Sequence, residues 1–345
     1  MAAQVKDPAW MEWIAGLLGR ASRETRASSF PSDRFHCLLD ELPVHLIPRS
    51  SSSVLQKGLQ EPLFLNPDCL ILPADQLPEE LISQPDLIAN FALQGTIAWV
   101  RCFAGEFLVP FWIDPSLASA LRNLRPEQDA RALISLDHCR VLVAAGILLK
   151  SESPLLPTHS LELHEKLQKI YSKRDYAVYP GLLHPFHVAA LRRYYRYLMR
   201  KARIYQRDSQ CPQRYVAHNE PVARFFHYQL TRVVSAVAGE PVKPSYVYFA
   251  SYLSGAELNR HTDREQCEFS ISLCLDFSPE PERETPWPLC LDTPEGRVEI
   301  HQALGDGLFY RGRHLPHYRD ALGKGLTSTS IFFHYVSASF TGSLA

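Results

Sequence analysis

The sequence predicts an α+β protein: a mixed α/β N-terminal half, then helices, then an antiparallel sandwich or barrel. Three observations carry this. Apolar residues recur at helical spacing between 184 and 238. From Tyr246 onward they alternate with period two in many short segments. Between the halves lies a polar, Pro-containing stretch, Ser151 to Ser160 (SESPLLPTHS). Helices first and strands after suggest a sheet structure buttressed by helices.

Residues 1–30 read as a short amphipathic helix and a looser tail ending in Ala27-Ser28-Ser29. Charges at Lys6, Asp7 and Glu12 interrupt the apolar run, which argues against a signal peptide. Ser50 to Ser53 is a second flexible marker, and Phe35–Leu39 fits a strand or a helix start. Thr96–Phe103 reads as a strand. Residues 115–149 read as helical, with Gly146 as breaker. After the polar stretch comes a short helix, LELHEKLQKI, and the domain boundary is expected near residue 170. The two domains are thus 1–170, a candidate substrate-recognition module, and 171–345.

In the second half, Asp175–Leu183 leads from a strand into a turn. A helix follows from His184 to Ile204, with Val188, Leu191, Tyr195, Leu198 and Ala202 along one stripe. Another is expected from Pro221 to Ala238, capped by Asn219 and closed by Gly239. Strands then follow at 246–252, 268–276, 289–291, 298–301, 307–310 and 327–336.

Composition excludes several classes. The chain has 345 residues, 46% of them hydrophobic, enough for a proper core. Its 36 basic residues nearly balance 37 acidic ones, so no global charge points to nucleic acid. No run approaches the ~20 apolar residues of a membrane span. The eight cysteines form no CxxC pair, which argues against a zinc ribbon or a redox motif and fits a cytoplasmic protein with reduced thiols.

His261-Thr262-Asp263 carries most of the chemistry. On an extended strand, residues two apart project to one face, so His261 and Asp263 can reach one ion while Thr262 points away. A second histidine would come from GDGLFYRGRHLPHYRD, as His314 or His317. Two histidines and one carboxylate form the facial set that holds Fe(II) and leaves the opposite positions open. HxD alone is a common tripeptide. Its place after a strand and a Gly255-Ala256 turn, with a strand-rich region behind it, strengthens the reading.

SYVYFASYLSGAELNRHTD, EFSISLCLDF, GDGLFYRGRHLPHYRD and TSTSIFFHYV together resemble the core of the Fe(II)/2-oxoglutarate dioxygenases, on the prolyl-4-hydroxylase-like branch. The resemblance covers about residues 176–338. It implies a double-stranded β-helix (jelly roll), with Fe(II), 2-oxoglutarate as co-substrate, and O₂. By the family's pattern the distal ligand is His317 rather than His314, giving His261, Asp263 and His317. Retention of Asp263 implies hydroxylation rather than halogenation. The family usually carries a basic residue on the last strand for the co-substrate's C5 carboxylate, and this chain does not. There the inward positions are expected to be Thr327, Thr329, Ile331 and Phe333. Arg319, two residues past His317, is the expected substitute, since a guanidinium fork matches a carboxylate. Thr327 and Thr329 are expected to add hydroxyls, and Tyr252 matches a tyrosine that related hydroxylases use on the co-substrate. A rim salt bridge with Asp320 or Asp306 is the competing reading of Arg319. Lys324, in a turn, is the runner-up anchor.

Arg214, His218, Arg264 and His314 are candidate substrate contacts, against the plainer reading of solvated surface side chains; Arg260 shares it. The Arg/Tyr run RRYYRYLMRKARIYQR at 192–207 admits nucleic-acid binding or a helix with a wet basic face. The expected substrate is a residue in a peptide or protein, a free amino acid or a natural-product intermediate. Oxidative demethylation of nucleic acid and a non-catalytic jelly-roll binding protein are the competing functions.

Overall fold

The computed structural model describes residues 30–39, 61–101, 107–150, 157–206 and 210–344. The N-terminal amphipathic helix and the Ser50–Ser53 run lie outside them, as do Cys102 and the start of the 151–160 stretch. The described residues form two compact units. One holds Glu162–His184 and everything from Leu191 onward; the other holds the residues before Glu162 together with Pro185–Ala190.

In the N-terminal unit, β2 (Cys69–Pro73), β3 (Thr96–Arg101) and β4 (Leu108–Ile113) make an antiparallel sheet. A second pair joins β1 (Leu63–Leu65) to β5 (Leu148–Lys150). Phe35, Phe91, Trp99, Phe111 and Trp112 are buried, and Trp112 Nε1 donates to the Ala92 carbonyl at 2.9 Å. Phe35 forms only an isolated bridge to Phe91. A short helix, α1, spans Glu79–Ile82. The single helical segment expected over 115–149 is instead two helices, α2 (Pro115–Asn123) and α3 (Leu136–Ala144). Pro126 cannot continue a helix, and Glu127 beside it takes a left-handed φ of 65°. Gly146, at φ 73°, ends the segment and releases the chain into β5.

The C-terminal unit is built on two antiparallel sheets. The larger runs β6 (Tyr176–Tyr179), β14 (Gly307–Tyr310), β11 (Phe269–Ser278), β16 (Thr327–Ser337), β9 (Val242–Tyr252), β8 (Arg214–His218) and β7 (Tyr205–Gln206). The smaller runs β10 (Leu258–His261), β15 (His317–Arg319), β12 (Leu289–Thr293) and β13 (Gly296–Ile300). The sheets share a core. Tyr176, Leu308 and Tyr310 of the larger pack with Leu289, Leu291 and Ile300 of the smaller. The mixture of helices and sheets is the one expected.

Helix α4 spans Pro157–Arg174 and runs through residue 170 without a break. Helix α5 spans Pro185–Arg200. The helix expected over 221–238 is two, α6 (Pro221–Gln229) and α7 (Thr231–Ala238), the second closed by Gly239 at φ 77°. The cap of α6 is Glu220, whose carboxylate accepts from Ala223 N, not Asn219. Asn219 sits at φ 50° and its Oδ1 accepts from Val247 N, a backbone state asparagine tolerates.

Helices cover one face of the larger sheet. Tyr195 stacks on Phe249 at 4.3 Å, and His227 lies against Phe333 and Tyr335. The first part of the Arg/Tyr run, residues 192–196, is spent in contacts of this kind. Arg192 and Arg196 bond Asp276, and the hydroxyls of Tyr194 and Tyr195 donate to Glu220. The opposite face carries the candidate site.

Candidate metal centre

β10 and β15 pair so that His261 lies directly opposite His317, with ring centroids 4.4 Å apart. His261 ends its strand. The chain then turns, and Asp263 is tied back by a bond from its N to the Gly312 carbonyl at 2.9 Å. Asp263 Oδ1 stands 3.6 Å from His261 Nε2 and 3.5 Å from His317 Nε2. The three ligand atoms all lie within 4.8 Å of one another.

The protonation states suit a cation. His261 Nδ1 lies 2.7 Å from the Asn259 carbonyl, and His317 Nδ1 lies 3.0 Å from the Leu315 carbonyl. Each carbonyl can only accept, so each Nδ1 carries the hydrogen and each Nε2 keeps its lone pair. Burial, then the neighbouring His317, holds the His261 pKa below the ordinary value, favouring the neutral ring. Burial alone would raise Asp263, but the neighbouring rings of His317, His334 and His261 bring it below the usual carboxylate value. The His317 side chain is 3% exposed, those of Asp263 and His261 13% and 26%, so the cluster is open on one side. His314 is exposed and lies outside the cluster.

Gly312 is a condition of this geometry. A Cβ there would overlap Asp263 Oδ2. Behind the carboxylate sit Ser270, Cys267 and His334, none of them flagged by the sequence motifs. His334 is buried and its pKa is lowered to about 4, chiefly by burial.

Arg319 lies two residues past His317, buried at 4% exposure. Nη1 donates to the Trp287 carbonyl at 3.0 Å, and the guanidinium stands 4.5 Å over the Trp287 ring. Nε has no hydrogen-bond partner, and among the described residues no carboxylate pairs with Arg319. The rim salt bridge is therefore not formed. Asp320 pairs with Arg297, and Asp306 accepts from the backbone N of Gly181 and Ala303. Burial pulls the Arg319 pKa down from its ordinary value. Lys324 is exposed in its turn.

Tyr252 sets its ring edge-on to Trp287 at 5.1 Å, and its hydroxyl accepts from Arg214 Nη1. Arg214 is itself buried, which corrects the surface reading; Nη2 donates to Gln210 Oε1. His218 stacks on Tyr246 at 5.1 Å, and Arg264 Nη2 donates to the Tyr246 hydroxyl at 3.2 Å. Arg260 pairs with Asp292.

The threonines do not join this group. Thr329 Oγ1 shares a hydrogen bond with Ser251 Oγ at 2.8 Å, on the face that carries Phe333 and Tyr335 toward His227. Thr327, of the same parity, belongs to that face too. Ser328, Ser330, Phe332 and His334 take the site-facing positions instead. The expected inward set was one residue out of register, and in a strand that reverses every side chain.

No protein-family model and no curated protein matches the sequence. Among solved structures, the non-haem α-ketoglutarate-dependent epimerase SnoN from nogalamycin biosynthesis aligns at 15% identity and a TM-score of 0.44, covering 51% of this chain and 84% of its own. A prolyl-4-hydroxylase from Pseudomonas putida aligns at 14% identity and a TM-score of 0.43, covering 51% and 100%. HygX from Streptomyces hygroscopicus, solved with nickel, 2-oxoglutarate and hygromycin B, aligns at 15% identity and a TM-score of 0.41, covering 51% and 88%. The solved structures this chain is similar to thus include 2-oxoglutarate-dependent non-haem enzymes and prolyl hydroxylases.

Proposed function

We propose that this protein is an Fe(II)- and 2-oxoglutarate-dependent oxygenase, and that its two facing antiparallel sheets form a double-stranded β-helix. One observation carries the reading. Asp263 Oδ1 stands between two Nε2 atoms whose rings are fixed through Nδ1, and a buried arginine without a carboxylate follows two residues later on the same strand.

The donors fit the metal. Two neutral imidazoles and one carboxylate suit Fe(II) and leave positions for other ligands. Arg319 fits the co-substrate. A buried cation without a counter-ion is costly, and a dicarboxylate reaching the cluster would supply one. Trp287 holds the guanidinium from its face and through its carbonyl. Arg214 orients the Tyr252 hydroxyl beside that pocket. When bound, iron and 2-oxoglutarate supply the oxidising chemistry with O₂, while the chain binds, orients and shields. The carboxylate of Asp263 favours hydroxylation. The substrate we favour is a residue in a peptide or protein, a free amino acid or a natural-product intermediate. Arg264 and His218 are its candidate contacts, and residues 1–170 a candidate recognition module.

The experiment is anaerobic titration of the protein with Fe(II) and 2-oxoglutarate. A weak visible charge-transfer band of the chelate is expected. Its absence in the wild type would reject the proposal and leave the non-catalytic binding protein. Succinate formation with candidate peptides, free amino acids and methylated oligonucleotides then sorts the substrate class.

A further inference from the structure

The carboxylate of Asp263 has two oxygens, and only Oδ1 faces the histidines. Oδ2 is turned to the larger sheet, where Ser270 Oγ donates to it at 3.4 Å. The same Oγ lies 2.9 Å from His334 Nδ1. Ser270 is on β11 and His334 on β16, and the two are direct cross-strand partners. A carboxylate at neutral pH only accepts, so the serine proton goes to it. A chain running to the carboxylate then requires the His334 tautomer that donates through Nδ1–H. The Cys267 carbonyl, also 3.4 Å from Oγ, is the weaker competitor, being uncharged.

The surroundings limit what else this cluster can do. Asp263, Cys267 and His334 offer ligand atoms within 4.8 Å of one another. Yet the Cys267 thiol is buried against the Tyr246 hydroxyl at 3.0 Å, and Ser270 Oγ stands between the carboxylate and the imidazole. That is the arrangement of a hydrogen-bonded chain. His334 is held from both sides, by the Tyr246 ring at 4.6 Å and by a bond from Ser245 Oγ to its own carbonyl at 2.8 Å. Gly312 closes the remaining side of the carboxylate. Each contact restricts rotation of the Asp263 side chain about the bond that would swing Oδ1 away from the histidines.

We infer that Ser270 and His334 are positioning residues, a two-step hydrogen-bond chain from the β11–β16 pair that fixes the rotamer of Asp263 and so presets the metal site. The inference rests on the iron-site reading above. It explains why a serine and a histidine sit at interior strand positions that apolar side chains would fill more cheaply.

The test is anaerobic titration calorimetry of the full chain with Co(II) alone, with the Co(II) visible spectrum as second readout. Ser270→Ala and His334→Leu should each weaken Co(II) binding on the order of ten- to a hundredfold. They should also shift the ligand-field bands. The double variant should lose no more than the worse single, because both act through one link. Ser270→Thr keeps the hydroxyl, and His334→Asn keeps a donor near Nδ1. Both should bind within a few fold of wild type, which a packing role would not predict. Unchanged affinity in Ser270→Ala and His334→Leu overturns the inference. So does equal loss in the conservative pair, and so does a second equivalent of Co(II) with a thiolate band that Cys267→Ser removes. Failure of the wild type itself to bind Co(II) would sink the iron reading beneath it. Binding by the wild type and by Ser270→Ala alike would sink this inference alone.

Discussion

His317 and Arg319 stand two residues apart on one three-residue strand, facing the same way, yet they meet opposite surroundings. His317 has a full set of partners. Its Nδ1 is bonded to a carbonyl, its Nε2 faces Asp263, and Tyr310 packs edge-on to its ring at 5.0 Å. Arg319 is as deeply buried but, among the described residues, keeps an unpartnered Nε and meets no carboxylate. On the function proposed above, the difference separates a site that is complete within the chain from one that would receive an anion. Removing a ligand should destroy the first, whereas removing Arg319 should relieve the empty protein and penalise only the liganded one.

The largest expected effect is therefore at the metal end. Asp263→Ala or His317→Ala should abolish the Fe(II)/2-oxoglutarate band, while His314→Ala, at an exposed position, should leave it intact. A band that survives His317→Ala would break the comparison at once. Gly312→Ala should do nearly as much harm without touching a ligand. Its methyl would occupy the space of Asp263 Oδ2, and Co(II) affinity should fall about ten- to a hundredfold.

At the other end, Arg319→Met should raise the 2-oxoglutarate concentration needed for the band by a factor equivalent to about 2–5 kcal/mol, the usual cost of truncating one partner of a buried charge pair. Metal affinity should hardly change. The melting temperature of the ligand-free protein should stay level or rise, because an unpaired buried cation is lost. A marked fall in stability together with unchanged co-substrate affinity would make Arg319 an ordinary structural arginine. Trp287→Leu should act in the same direction but less, since it removes the ring beneath the guanidinium and leaves the backbone carbonyl.

The same contrast explains what was legible in the sequence. The HxD pair was readable because it depends on local parity and a strand end, whereas the preference for His317 over His314 rested on the family resemblance. The pairing of His261 with His317 followed from that pattern once β10 and β15 were neighbours. Arg319 was readable for the same reason. Thr327 and Thr329 were misread because no local signal fixes which face of a strand is inward when both faces are buried. β16 carries Ile331, Phe333 and Tyr335 toward helices and Ser330, Phe332 and His334 toward the site, and all six are buried. The period-two pattern fades where both sides are covered. The contacts of Ser270, His334 and Trp287 are not legible in the sequence because they arise from long-range register and loop packing. The break at Pro126 is legible in principle, since proline is a stop signal.

The smallest expected effect concerns the covered face. His227 is buried between the helices and β16, its Nε2 donates to the His334 carbonyl at 2.7 Å, and its pKa is lowered to about 3, chiefly by burial. In the unfolded chain the ring titrates near the ordinary value of 6.5. Between these values the unfolded state binds the extra proton, so stability rises with pH in that window and is lost as pH falls below about 6.5. For this one group the slope is about 1.4 kcal/mol per pH unit. His334, lowered to about 4, adds a slope of the same sign from the opposite face of β16. His227→Gln offers an amide to the same carbonyl without a titrating ring. It should lower stability at pH 7.5 through lost packing on Phe333 and Tyr335, yet flatten the fall between pH 6.5 and 5 measured by denaturant unfolding. A slope unchanged in His227→Gln would mean that His227 does not carry it. The acid sensitivity of the fold would then reside in other groups, among them His334, which is buried on the site-facing side of β16.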